Sequence, residues 1–304
     1  MGRRGRNRRP DSGVSGAVVI DKPPGCTSHD VVDRVRTSLG TRRVGHAGTL
    51  DPDATGVLVV GVGLGTKLLQ FISGSDKTYT GEVIFGVETS TLDAAGEVTA
   101  THDMIGLGPD QVVAAAAGFV GEIQQIPPMV SAVRVDGKRL HELARRGIEV
   151  ERQARSVTVH RFDVEATNDP LVYRLAVSCS SGTYIRALAA DLGTALGGGA
   201  HLRSLRRTSV GTITIEQAQP VDNFELQPID LLLGSMPVLH VDHAVAERVS
   251  HGRKLPTGHS GGGEPRSAAS DPGFVAVKGP DDILLAVYQA RSGELCPVKV
   301  LVGR

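Results

Sequence analysis

Seven residues, VLVVGVG at 57–63, run without a polar side chain between a polar loop and a glycine-rich turn. A strand with one wet face alternates apolar and polar residues. An unbroken apolar run of this length reads instead as a strand covered on both faces. A chain containing it must supply an apolar layer on each side of a sheet. With 304 residues, it is long enough to do so as one large domain and a small one, or as two of similar size.

The flanking sequence supplies candidates for those layers. AVVID (17–21) reads as a short strand. Ser28 stands before Val31, Val32, Val35 and Leu39 at helical spacing and Gly40 ends the run, which predicts an amphipathic helix capped by Ser28. Tyr79, Val83, Phe85 and Val87 share one strand face, and DAAG (93–96) reads as the turn into a partner strand from Glu97. Helices are expected over 109–120 and 140–147. Tyr173, Leu175, Val177 and Cys179 alternate as a half-buried strand, and Ile185, Leu188, Ala189, Leu192 and Leu196 form a helical inner face that Gly197, Gly198 and Gly199 terminate. Hairpins mixed with helices, without a βαβ rhythm, indicate an α+β fold.

The texture changes near residue 236. Short strand candidates FVAVKG, DILLAVYQA and CPVKVLVG surround the low-complexity stretch HSGGGEPRSAASDPG. The expected organisation is a basic flexible arm at 1–15, a main domain at 16–236, and a small β-barrel unit with one long loop at 237–304. Residues after 236 sit beyond the motifs described below, so a chain ending near Gly234 is expected to fold.

Charge is balanced, 33 Lys and Arg against 33 Asp and Glu, but unevenly spread. Residues 1–10 hold five arginines and no acid, and Arg203, Arg206 and Arg207 stand in a window (192–215) free of acids. Such patches in a neutral protein fit a polyanion partner as well as plain solvated surface. Cys26, Cys179 and Cys296 form no metal-binding spacing, so no metal is expected and a reducing cytoplasm fits. No signal-peptide core or bilayer-length apolar run is present.

The segment GHAGTLDPDATGVL (45–58) places Asp51 before Pro52, and proline confines the preceding residue to extended geometry, so the backbone aims the carboxylate. Gly45, Gly48 and Gly56 permit close approach of a ligand, while Thr49 and Thr55 can satisfy loop backbone groups. An Asp-Pro turn joining two elements accounts for the same residues. Asp53 invites a glycosidase reading with Asp51, but two acids on one short loop do not flank a sugar from opposite sides. His46 is a candidate contact for a polar ligand. GVGLGTK (61–67) lacks the Gly-Lys-Ser/Thr register of a phosphate loop, which weakens a nucleotide-dependent reading.

KPPGCTSHDVV (22–32), RRVGHAGTLDPDATGVLVVGVGLGTK (42–67), KTYTGEVIFGVETSTLDAAGE (77–97), IPPMVSAVRVDGKRLHELARRG (126–147), CSSGTYIRALAADLG (179–193) and AHLRSLRRTSVG (200–211) resemble, in order, the motifs of the bacterial TruB type of tRNA pseudouridine synthase. The likeness spans roughly 17–215. It implies a pseudouridine synthase fold, a mixed and mainly antiparallel central sheet with flanking helices, followed by a PUA-like domain. It also implies a monomeric cytoplasmic isomerase acting without cofactor on uridine 55 in the T arm of tRNA. Asp51 becomes the catalytic aspartate paired with Arg186. His46 and Tyr79 line the uridine pocket, Tyr184 and Leu205 help form it, and Tyr79 is positioned to assist loss of the C5 proton. Lys22 joins the substrate-binding set and, with Pro23, matches the motif that supports the catalytic loop. Arg134 stands where lysine is frequent in the family and His141 where tyrosine is frequent.

The expected chemistry needs Asp51 ionised, and a close guanidinium is expected to hold its pKa low. A uridine in folded RNA must also leave its stack before C1′ can be reached. A non-catalytic RNA-binding module on the same fold is the competing reading, and it gives no use for an acid at the centre of a pocket.

Overall fold

The computed structural model describes residues 12–131, 134–135, 138–139, 148, 150–256 and 273–301. Its strands are β1 (Gly16–Lys22), β2 (Val44–Ala47), β3 (Thr55–Val62), β4 (Lys77–Phe85), β5 (Val87–Thr89), β6 (Val98–Thr101), β7 (Gly121–Gln125), β8 (Arg134–Val135), β9 (Lys138–Arg139), β10 (Arg155–Ala166), β11 (Val172–Cys179), β12 (Ala200–Val210), β13 (Ile213–Thr214), β14 (Gln219–Pro220), β15 (Val238–His240), β16 (Leu255–Pro256), β17 (Phe274–Lys278), β18 (Leu284–Arg291) and β19 (Glu294–Val300). The helices are α1 (Ser28–Leu39), α2 (Leu69–Ser73), α3 (Pro109–Ala117), α4 (Ile185–Ala195) and α5 (His243–Ser250).

The apolar run is β3, and its two faces enter two different cores. Val57 and Val59 pack with Val19, Leu68 and Ile72, whereas Leu58, Val60 and Val62 pack with Val31, Val32 and Val35 of α1. Its continuity in sequence therefore reflects a covering on each side. Beyond it runs a mixed sheet in the order β14-β1-β3-β12-β4-β11-β10-β7, with β2 added to β3 and β13 to β12. Pairing is antiparallel except at β1–β14 and β3–β12. The α+β expectation holds. Leu188 and Leu192 of α4 cover the β4–β11 half together with Val112 of α3.

The β3–β12 junction sets the geometry of everything near it. Only Thr55↔Arg206 and Gly56↔Arg207 pair there. Gly56 has φ +100°, and a Cβ on it would lie 2.1 Å from the Arg207 carbonyl oxygen, so the two strands can meet only at a glycine. The loop that carries Asp51 ends at this junction, in the middle of the sheet.

Several local expectations are corrected. Thr27, not Ser28, caps α1: its hydroxyl accepts from the Asp30 N–H while the Asp30 carboxylate accepts from the Thr27 N–H. Ser28 is inside the helix and buried. The hairpin through DAAG joins β5 to β6, while β4 is flanked by β11 and β12. The acid-free window at 192–215 is no free basic patch. Arg207 is buried, Arg206 holds the Asp21 carboxylate with both terminal nitrogens, and Arg203 lies 3.5 Å from Glu82. GVGLGTK closes β3 and turns once, and Lys67 donates to the Val300 carbonyl. The basic segment 1–10 and the expected helix at 140–147 lie outside the described residues, as does most of the expected long C-terminal loop.

The C-terminal strands form a curled five-stranded sheet in the order β15-β17-β18-β19-β16. It is not isolated from the rest. Ala276, Leu284, Val287 and Leu301 enter the same apolar cluster as Leu68, Ile72, Leu232 and Leu233, the rings of Phe71 and Phe274 meet edge to face at 5.0 Å, and Lys278 pairs with Asp230 at 2.6 Å.

Candidate active site

The loop from Gly48 to Ala54 is fixed from behind by two buried side chains. Ser28 takes both polar groups of Leu50: the Leu50 N–H donates to its Oγ at 2.9 Å, and the hydroxyl donates to the Leu50 carbonyl at 3.1 Å. Lys22, fully buried, donates to the carbonyls of Pro23, Cys26 and Pro52 at 2.9, 2.7 and 2.7 Å. Burial pushes the Lys22 ammonium pKa down, and the nearby carboxylates of Asp53 and Asp51 oppose that. These contacts grip the residues on either side of Asp51. Lys22 thus stands behind the loop, in keeping with a supporting role.

Asp51 faces Arg186, the second residue of α4. Nε lies 2.9 Å from Oδ2 and Nη2 donates to Oδ1 at 3.2 Å, a two-point pair. The guanidinium is itself immobilised. It donates to the Thr91 carbonyl and the Val130 carbonyl, each at 2.8 Å, and lies 3.4 Å from the Asp93 carboxylate. Its side chain is 4% exposed, whereas that of Asp51 is 42% exposed, so the carboxylate alone looks out of the pair.

The expected depression of the Asp51 pKa is not what the geometry produces. Burial raises it above the ordinary carboxylate value, Arg186 opposes that, and the Asp93 carboxylate adds to the rise. One guanidinium shared between two acids cannot fully offset partial desolvation.

In front of Asp51 is a cavity of about 260 Å³ lined by the Gly48–Asp51 segment, Lys77, Tyr79, Tyr184, Arg186, Leu205 and Arg207, among others. Tyr79 lies opposite Val177 on one side and opposite Arg207 on the other. Burial raises the pKa of the phenol, and the Arg207 charge opposes that rise. Tyr184 precedes α4, with its backbone gripped by the buried Gln125 amide: the Tyr184 N–H donates to Oε1 at 2.7 Å, and Nε2 donates to the Tyr184 carbonyl at 3.0 Å. Of the residues singled out from sequence, Asp51, Arg186, Tyr79, Tyr184 and Leu205 meet at this cavity. His46 does not line it. It lies on β2 opposite Val60, with Nδ1 buried and unpartnered and its pKa lowered by burial and by the Arg207 charge.

Sequence reasoning missed Asp93, read as a turn residue, and Ser28, read as a cap. It also missed Gln125, Lys77 and the structural role of Arg207. The one available signal was Asp93, the lone acid of TSTLDAAG (89–96), between Glu88 and Glu97. Asp53 is exposed and has no part in the pair, so the second carboxylate near Asp51 is Asp93. The Arg134 side chain and residue 141 lie outside the described residues.

Comparison with known proteins gives a consistent result. The model of the TruB family pseudouridylate synthase N-terminal domain matches residues 36–185, and that of the tRNA pseudouridylate synthase B C-terminal domain matches 186–229. The tRNA pseudouridine synthase B of Arthrobacter sp. (strain FB24) is 45% identical over 297 residues, covering 94% of this chain and 96% of its own. The protein of that name from Thermobifida fusca (strain YX) is 44% identical over 303 residues, covering 95% and 99%. Among solved structures, one described as a Cbf5-Nop10-Gar1 complex aligns with a TM-score of 0.72 at 26% identity, covering 95% of this chain and 85% of that one.

Proposed function

The chain belongs to the TruB family of pseudouridylate synthases, isomerases that convert uridine 55 of tRNA to pseudouridine, and from that premise we propose that Asp51 carries the reaction here. The observation that carries the assignment is the asymmetry of the pair. Arg186 is buried and tied to four acceptor groups, while the carboxylate it orients stays open to a cavity of nucleotide-base scale.

The reaction moves the ribose C1′ from N1 to C5 of the same uracil and needs no energy source. Asp51 either attacks C1′ or removes the proton at C2′. Both routes use an ionised, oriented carboxylate, which the two-point contact with Arg186 describes. The base stands between Tyr79 and Leu205, and the uridine is flipped out of the T arm to reach them. Residues 16–236 hold this machinery, and 237–304 form a PUA-like unit that grips RNA away from the reacting uridine. We read the protein as a cytoplasmic monomer. Among the described residues no helix is long and apolar enough to cross a membrane.

Replacing Asp51 with Asn keeps the shape and removes the nucleophile or base. Pseudouridine at position 55 of tRNA, measured in a single turnover, should fall by at least about 10³-fold, while RNA affinity changes by less than roughly tenfold. Turnover near the wild-type rate would remove Asp51 from the mechanism.

A further inference from the structure

The first turn of α4 carries Arg186, yet that turn's own sequence does not cap it. Tyr184 occupies the N-cap position, and its side chain makes no capping contact. Helix ends fray unless their polar groups are held. The holding group comes from 59 positions away: Gln125, the last residue of β7, accepts the Tyr184 N–H at Oε1 and donates from Nε2 to the Tyr184 carbonyl. Its side chain is buried. The same Tyr184 carbonyl accepts the Leu188 N–H, the first hydrogen bond of the helix. One side-chain amide therefore fixes the peptide groups on both sides of Tyr184, where α4 starts.

Arg186 follows two residues later. Its guanidinium meets Asp51 at two points, donates to the Thr91 and Val130 carbonyls, and lies close to Asp93. A planar fork aimed at acceptors on several segments tolerates little displacement of its own backbone. Gln125 and Val130 belong to one stretch leaving β7, and Arg152 ties that stretch again by donating to the Pro127 carbonyl at 3.1 Å. This stretch thus holds Arg186 twice, its backbone through Gln125 and its guanidinium through Val130.

We propose that Gln125 is a positioning residue for the reaction: by locking the first turn of α4 it aims the Arg186 fork at Asp51, although it does not line the cavity itself. The inference rests on the assignment of this cavity as the isomerase site. Gln125 acts only through its neighbours, so its loss should reach the chemistry by way of Arg186.

The test is Gln125→Met in the full-length protein, alone and combined with Arg186→Lys. Methionine keeps the length and unbranched shape and makes neither hydrogen bond. In single turnovers the rate at saturating tRNA should fall by about 10- to 100-fold, the scale expected when a reacting group is misplaced by about 1 Å. The tRNA concentration at half-saturation should change by less than about threefold. The double variant should lose far less than the product of the two single losses, because both changes disturb one contact. The acid limb of the pH–rate profile should also move to higher pH. The groups facing Asp51 are Arg186 from α4, Asp93 from the turn after β5, Lys22 from β1 and Tyr79 from β4. Of these, Arg186 stands on the turn that Gln125 holds, and a weaker Arg186 contact opposes the rise in the Asp51 pKa less. A residue that only holds the fold would lower stability and leave the limb in place. A folded Gln125→Met with the wild-type rate, a loss confined to half-saturation, losses that multiply or an unmoved acid limb would each overturn the proposal. Where Gln125→Met does not fold, Gln125→Asn takes its place with the same expectations, since its amide stops one methylene short of Tyr184. Wild-type protein that forms no pseudouridine at position 55 would instead refute the functional assignment itself.

Discussion

Ser28 and Leu50, twenty-two positions apart, exchange two hydrogen bonds, so the residue immediately before Asp51 is tied to helix α1 through both its N–H and its carbonyl. The loop that carries Asp51 is thereby referenced to the helix, which packs on β3, and not only to its own strand ends.

Ser28→Ala removes both bonds and leaves two buried backbone groups unpaired. Unfolding free energy should fall by about 1–3 kcal/mol. The single-turnover rate should fall by roughly tenfold or more, because a small displacement of a reacting group is expensive. Denaturant unfolding and rate measurements on one preparation check both. An unchanged rate at reduced stability would confine Ser28 to holding the fold.

Arg186→Lys retains the charge and loses the planar fork that meets Asp51, Asp93 and two carbonyls at once. The rate should fall by about 10²-fold or more. The acid limb of its pH profile should also move upward, because Arg186 is what opposes the rise in the Asp51 pKa and a weaker contact opposes it less. A profile superimposable on the wild type would contradict the pairing.

Lys77 gives a test by proton linkage. Its pKa is about 10.5 when exposed and about 8 in the fold, because burial penalises the ammonium. Between those values the unfolded chain binds more protons than the folded one, so stability must rise with pH across that window. Below pH about 8 the penalty is present in full. The stability of wild type relative to Lys77→Met should therefore increase from pH 8 to 10, by an amount of order 1–3 kcal/mol. A flat difference would show that Lys77 is not held in a charge-disfavouring site.

Ending the chain near Gly234 should cost more than the sequence implies. It uncovers Leu68, Ile72 and Phe71, which the C-terminal sheet covers, and each large apolar side chain is worth about 1.5–3 kcal/mol when fully buried. Melting should drop by about 10 °C or more, on the scale set by a few kcal/mol in a domain of this size. Thermal unfolding of the truncated and full-length proteins decides it, and coincident melting curves would show the C-terminal sheet to be independent.

The sequence by itself determined the local features: β3 as a strand covered twice, the α4 inner face of Ile185, Leu188 and Leu192, the α+β class, and the loop that presents Asp51. These are periodicities and backbone restrictions, which act between neighbours in the chain and are written in their order. It determined less about how charges would meet. An acid-free stretch from 192 to 215 looked like a basic patch, but Arg203 and Arg206 find Glu82 and Asp21 on other strands, and Arg207 is turned inward against Tyr79. Asp93 looked like one residue of a turn until folding carried it to Arg186, and Ser28 looked like a cap until it reached Leu50. The tertiary structure decided these roles because an ion pair or a buried hydrogen bond depends on spatial neighbours, and the sheet order sets those neighbours across separations of tens to hundreds of residues.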